Sequence, residues 1–130
     1  MTMGSSVQWY TVETVEAISF PECPWALAFT EASCEHATRG DWNWETGLNK
    51  DQIADFESIR DHGLRAVYGN WAFLKNHSPE KDEIANRRLD WVAYVAGKRE
   101  SRRLLGDVIL RQQDIDGLKQ LDCLRLRRPR

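Results

Sequence analysis

The chain has 130 residues, with 18 Lys and Arg against 20 Asp and Glu and a formal net charge of −2. That length holds one domain with a modest core, not two, and the charge balance argues against a general nucleic-acid binder. No run approaches the roughly 18 consecutive apolar residues of a membrane span, and no signal peptide is visible. Cys23, Cys34 and Cys123 form no C-x-x-C pair, so the expected setting is reducing and, by default, cytoplasmic.

Residues 1–24 read as an N-terminal segment, partly disordered over MTMGSS. Val7, Trp9 and Thr11 alternate, as in a short strand, and Glu13–Ser19 could instead form a turn of helix. After Pro21 and Pro24, Trp25–Thr30 reads as a strand. Asp41–Glu45 follows among turn formers. If it is extended, Trp42 and Trp44 share one face, with Asn43 and Glu45 on the other.

Asn49–Asn76 reads as a helix. Asn49 is placed to cap it, Gln52 to close a capping box, and Asp51 to meet the helix dipole. Ile53, Phe56, Leu64, Val67, Trp71 and Leu74 recur at helical spacing. Gly63 and Gly69 weaken the interior, so two helices meeting near His62–Gly63 is the alternative. Ser78 and Pro79 suit the start of a second helix, Pro79–Ala96, with the stripe Ala85, Leu89, Val92 and Ala96. Gly97 stands where a C-terminal cap belongs. Val108–Leu110 reads as a strand, Gln112–Leu121 as a short helix, and residues 117–130 as a basic, frayed tail.

These elements predict an α+β fold over residues 25–116. A helical hairpin, Asn49–Ala96, packs on strands from Trp25–Thr30, Asp41–Glu45 and Leu104–Leu110.

Two stretches carry candidate chemistry. Gly97–Asp107, GKRESRRLLGD, gathers Lys98, Arg99, Arg102 and Arg103 around Glu100 and Ser101. Forked guanidinium groups suit phosphate or carboxylate, and a solvated turn with an internal Glu–Arg pair fits equally. Trp42, Trp44 and Glu45 read either as an aromatic pocket wall with an acid at its edge or as a strand burying two indoles. His36, beside Cys34 and Glu35, matches no familiar metal-ligand spacing. His62 and His77 read as surface residues, and Ser101 lacks the setting of a hydrolase nucleophile.

Asp41–Asn76, DWNWETGLNKDQIADFESIRDHGLRAVYGNWAFLKN, and Asn86–Ile115, NRRLDWVAYVAGKRESRRLLGDVILRQQDI, together resemble the interior of bacterial FAD-dependent oxidoreductases. The shared motifs are similar to W-x-W-E-x-G, I-R-D-x-x-L-R-A-x-Y-G-x-W and G-K-R-E-S-R-R-x-x-G-D, and the resemblance covers roughly residues 25–115. It implies FAD as cofactor, with Arg99, Glu100, Ser101, Arg102 and Arg103 near the flavin. Trp42, Trp44 and Glu45 would then lie near an unidentified small-molecule substrate. Redox chemistry would belong to the flavin.

The departures are specific. No G-x-G-x-x-G occurs in the chain, so the backbone cradle for the FAD pyrophosphate is lacking. Arg111 stands where the family favours a small hydroxyl residue, and the match ends after Ile115. The resemblance therefore implies an internal piece of a larger enzyme that binds FAD poorly alone and whose partner is the missing FAD-binding domain. A non-catalytic helical interaction module is the alternative.

Overall fold

A computed structural model describes residues 3–98 and 111–116. Its elements are β1 (Ser5–Ser6), β2 (Trp9–Glu13), β3 (Arg39–Gly40), α1 (Phe56–Asn76), β4 (Arg87–Val92), β5 (Gly97–Lys98) and α2 (Gln112–Asp116). Two small antiparallel sheets form, one of β1 and β5 and one ordered β3-β2-β4. The fold class is α+β, with one main helix. Among the described residues no helix is long and apolar enough to cross a membrane.

The hydrophobic core lies between α1 and the sheets. Val67, Trp71 and Leu74 meet Val7, Trp9, Ala93 and Ala96, and Ile59 is buried about two turns earlier. The 3–4 residue spacing of Ile59, Gly63, Ala66, Val67, Asn70, Trp71 and Leu74 makes this face. Val7 and Trp9 come from the alternating stretch read as a short strand, just after the MTMGSS start expected to be disordered. Ser5 and Ser6 are themselves buried, and β2 is the central strand of its sheet.

The second helix of the expected hairpin is absent: residues 87–92 form β4, antiparallel to β2. Residues 78–87 turn by i→i+3 bonds, such as Lys81 N–H to the Ser78 carbonyl and Arg87 N–H to the Ile84 carbonyl. Lys75 anchors the end of this turn: its Nζ donates to the carbonyls of Ile84, Ala85 and Arg87 at 3.0, 2.8 and 3.1 Å. Across the strands Tyr10 stacks on Trp91 at 5.6 Å, and Arg87 pairs with Glu13. Gly97 pairs with Ser6 in a strand and does not cap a helix.

Neither Trp25–Thr30 nor Asp41–Glu45 is a strand. The first spends its main-chain groups on α1: Leu27 N–H donates to the Arg65 carbonyl, and Arg65 Nε donates to the Trp25 carbonyl, both at 3.1 Å. The main helix is continuous through Gly63 and Gly69 and starts at Phe56, seven residues after the expected cap at Asn49. Asp51 Oδ1 instead accepts from Ile53 and Ala54 N–H at 2.8 and 2.9 Å, closing an acidic turn ahead of the helix. The expected strand Leu104–Leu110, including Val108–Leu110, and the tail 117–130 lie outside the described residues.

Candidate functional site

Strand β1 brings the ends of two motif segments together. Ser5 and Thr46 exchange both backbone hydrogen bonds at 2.9 Å, and Ser5 also pairs with Lys98 in β5. The tryptophan-rich segment and the basic segment thus flank one strand, about 10 Å apart by the usual strand spacing. Gln52 ties this junction to the helix start: its Oε1 accepts from Ser5 Oγ at 2.7 Å, and its Nε2 donates to the Gly47 carbonyl. Gly47 has φ +80°, and a Cβ there would lie 2.7 Å from Ile59 Cδ1. A left-handed backbone and a helix side chain against it leave room for glycine alone.

Residues 41–44 form a turn, so the alternation of an extended strand does not place Trp42 and Trp44. Trp44 has φ +52°, a left-handed conformation costing roughly 1–3 kcal/mol for a residue with a side chain. It is offset by stacking on Trp9 at 6.1 Å and by an edge contact with Phe29 at 5.8 Å. Trp42 is 57% exposed. Both line an open groove of about 540 Å³ whose acids are Glu35 and Asp41. Glu45 lies elsewhere, its Cγ packed over Gly4. A second groove, of about 320 Å³, is lined by Ile53, Phe56, Val95, Ala96 and Lys98. It ends at the residue before Arg99. Arg99, Glu100, Ser101, Arg102 and Arg103 themselves lie outside the described residues.

A further cluster was not legible from adjacency in the chain. Glu31, not Glu35, joins Cys34 and His36. His36 Nε2 stands 3.0 Å from Glu31 Oε1 and 3.2 Å from Cys34 Sγ, and His36 Nδ1 stands 2.8 Å from Glu80 Oε2. A tight turn sets the spacing: Ser33 and Cys34 N–H both donate to the Thr30 carbonyl, and Thr30 N–H donates to Ser33 Oγ. Asn70, fully buried, fixes the backbone between Cys34 and His36. Its Oδ1 accepts from Glu35 N–H at 2.9 Å, and its Nδ2 donates to the Glu35 carbonyl at 3.0 Å.

The sequence Cys34–His36–Glu80 has the connectivity of a nucleophile, a base and an orienting acid. Its electrostatics oppose that role. Partial burial and the neighbouring Glu31 and Glu80 carboxylates push the Cys34 thiol pKa up, which holds the sulfur protonated. The signal that sequence reading lacked was Asn70, because a polar residue within an apolar helix face gives no hint of which loop it clamps. Compared with protein-family models, curated proteins and solved structures, the chain matches none.

Proposed function

We propose that this chain is a segment of an FAD-dependent oxidoreductase acting on a small molecule. The Arg99–Arg103 stretch would face the cofactor, and the Trp42–Glu45 segment would face the substrate side. The observation that supports this reading is the junction at Ser5, where Thr46 and Lys98 flank one strand. Two motif segments about fifty residues apart in sequence meet there, as residues serving one site must. The open apolar groove ending at Lys98 is where the rest of such an enzyme would pack. Bound FAD would supply the electron transfer. This chain's guanidinium groups would hold an anionic group, with Glu100 orienting an Arg.

The test reads the gene outward from both ends. The expected result is an in-frame upstream G-x-G-x-x-G segment and a reading frame continuing past Ile115. With that longer protein in hand, Arg102→Ala weakens FAD retention. Start and stop codons bounding these residues, or stoichiometric flavin in the purified 130-residue chain, would overturn the reading.

A further inference from the structure

We propose that Glu31, Cys34 and His36 form a three-ligand site for a divalent transition metal, zinc above all, with Glu80 as the positioning residue for His36. The inference is independent of the flavin reading, since none of the four residues belongs to the segments that carry it.

One ligand atom from each of Glu31, Cys34 and His36 lies within 4.8 Å of the other two. Bound at zinc distances of about 2.0–2.3 Å, tetrahedral ligand atoms stand roughly 3.3–3.6 Å apart. Here Glu31 Oε1 stands 3.0 Å and Cys34 Sγ 3.2 Å from His36 Nε2, and Sγ stands 4.0 Å from the other carboxylate oxygen, Oε2. The two distances to the imidazole need a change of about 0.5 Å or less to fit that figure, and a rotation of the carboxylate sets which oxygen binds.

Hydrogen bonds alone put a crowd of acceptors around His36, with the Cys34 thiol 3.4 Å from the Glu31 carbonyl as its own acceptor. His36 Nε2 carries one proton at most, yet it faces both a sulfur and a carboxylate oxygen. A cation at the centre would bind all three groups at once. Glu80 on Nδ1 is the arrangement that fixes the tautomer of a metal-ligating histidine, leaving Nε2 free to bind.

The ligand chemistry selects among metals. One thiolate, one imidazole and one carboxylate make a borderline-soft set, which suits zinc and excludes calcium or magnesium, whose ligands are all oxygen. The side chains of His36 and Glu31 are 34% and 52% exposed. A fourth position is therefore open to water, as in sites that activate a bound water.

The experiment titrates the purified, metal-stripped full chain with Co²⁺ and then with Zn²⁺ in competition with a chromophoric chelator. One Co²⁺ per chain is expected, with a thiolate-to-metal charge-transfer band. The band is lost in Cys34→Ser and kept in Cys23→Ser and Cys123→Ser. Glu80→Gln keeps the band and lowers zinc affinity about 10–100-fold. Should Cys34→Ser lose its native circular dichroism, Glu31→Gln replaces it, with at least a tenfold loss of affinity expected. Absence of saturable Co²⁺ binding, or a band that survives in folded Cys34→Ser, would overturn the proposal.

Discussion

The two long flanks of α1 are filled by opposite means. Towards the sheets, side chain meets side chain: Val67, Trp71 and Leu74 pack on Val7 and Trp9. Towards residues 25–35, main chain meets helix as well, beside a Trp25–Tyr68 ring contact at 5.2 Å. Leu27 N–H reaches the Arg65 carbonyl past Gly69, and Asn70 holds both backbone groups of Glu35. An apolar seam can shift by a rotamer. A backbone seam is less adaptable, because its hydrogen bonds hold only at one spacing of main chain and helix. The substitutions that cost most should therefore fall where main chain approaches the helix.

Gly69→Ala is the strongest test of that difference. A Cβ at this position would stand 2.1 Å from the Leu27 carbonyl oxygen and 3.0 Å from its carbon, both rigid main-chain atoms. Alanine gains about 1 kcal/mol of helix propensity, and the clash outweighs it. A net loss of roughly 2–3 kcal/mol is expected in urea denaturation. A neutral or stabilising result would show that residues 25–29 are held loosely.

Asn70→Ala comes next. It leaves the N–H and carbonyl of Glu35 without partners beside the helix, a loss of about 2–3 kcal/mol. Asn70→Asp should not rescue it. An ionised carboxylate still accepts from the N–H but faces the Glu35 carbonyl with a second acceptor. Loop 31–36 would loosen in both variants, read as faster amide exchange at Cys34–His36. Unchanged exchange would mean that the turn at Thr30–Cys34 is self-sufficient.

Gly63 gives the matching substitution on the apolar seam. A Cβ there would stand 2.6 Å from Val7 Cγ2 and 3.3 Å from its Cβ, with the Val7 backbone nitrogen at an ordinary 3.8 Å. Gly63→Ala should cost about 1 kcal/mol or less, as a valine rotamer and a helix-propensity gain partly offset each other. Combining it with Val7→Ala should show coupling between the two sites of at least about 0.5 kcal/mol. Additive effects would place the strain elsewhere.

The same contrast explains what was legible in the sequence. The helix body, its apolar face and the strand around Trp9 follow from periodicity, which reports side chains facing a shared core. The expected second helix failed where periodicity alone decided. Ala85, Leu89, Val92 and Ala96 have helical spacing, but the Arg87–Val92 stretch pairs with the central strand instead, behind a turn that Lys75 anchors. Of the candidate sites, Trp44 could be singled out as an aromatic contact, though not its left-handed turn. Glu31, Cys34 and His36 stayed separate because Asn70 and Glu80, which shape and complete the cluster, are distant in the chain.

Asp51 sharpens the comparison at its weakest point, the exposed turn before α1. The hydrogen bonds from Ala54 and Ile53 N–H hold its carboxyl pKa below the usual aspartate value. A lowered folded-state pKa gives a contribution that is full above the unfolded-state pKa and is lost as pH falls through the folded-state value. Asp51→Ala should therefore lower the thermal midpoint at neutral pH by less than any substitution above. The gap to the parent should close as the medium is acidified. Asp51→Asn keeps an acceptor oxygen without the charge, so it should lie between the two at neutral pH and lack the acid dependence of this group. A gap that stays constant into strong acid would mean that the turn is held by its backbone, through Asp55 N–H and the Asp51 carbonyl, rather than by the side chain.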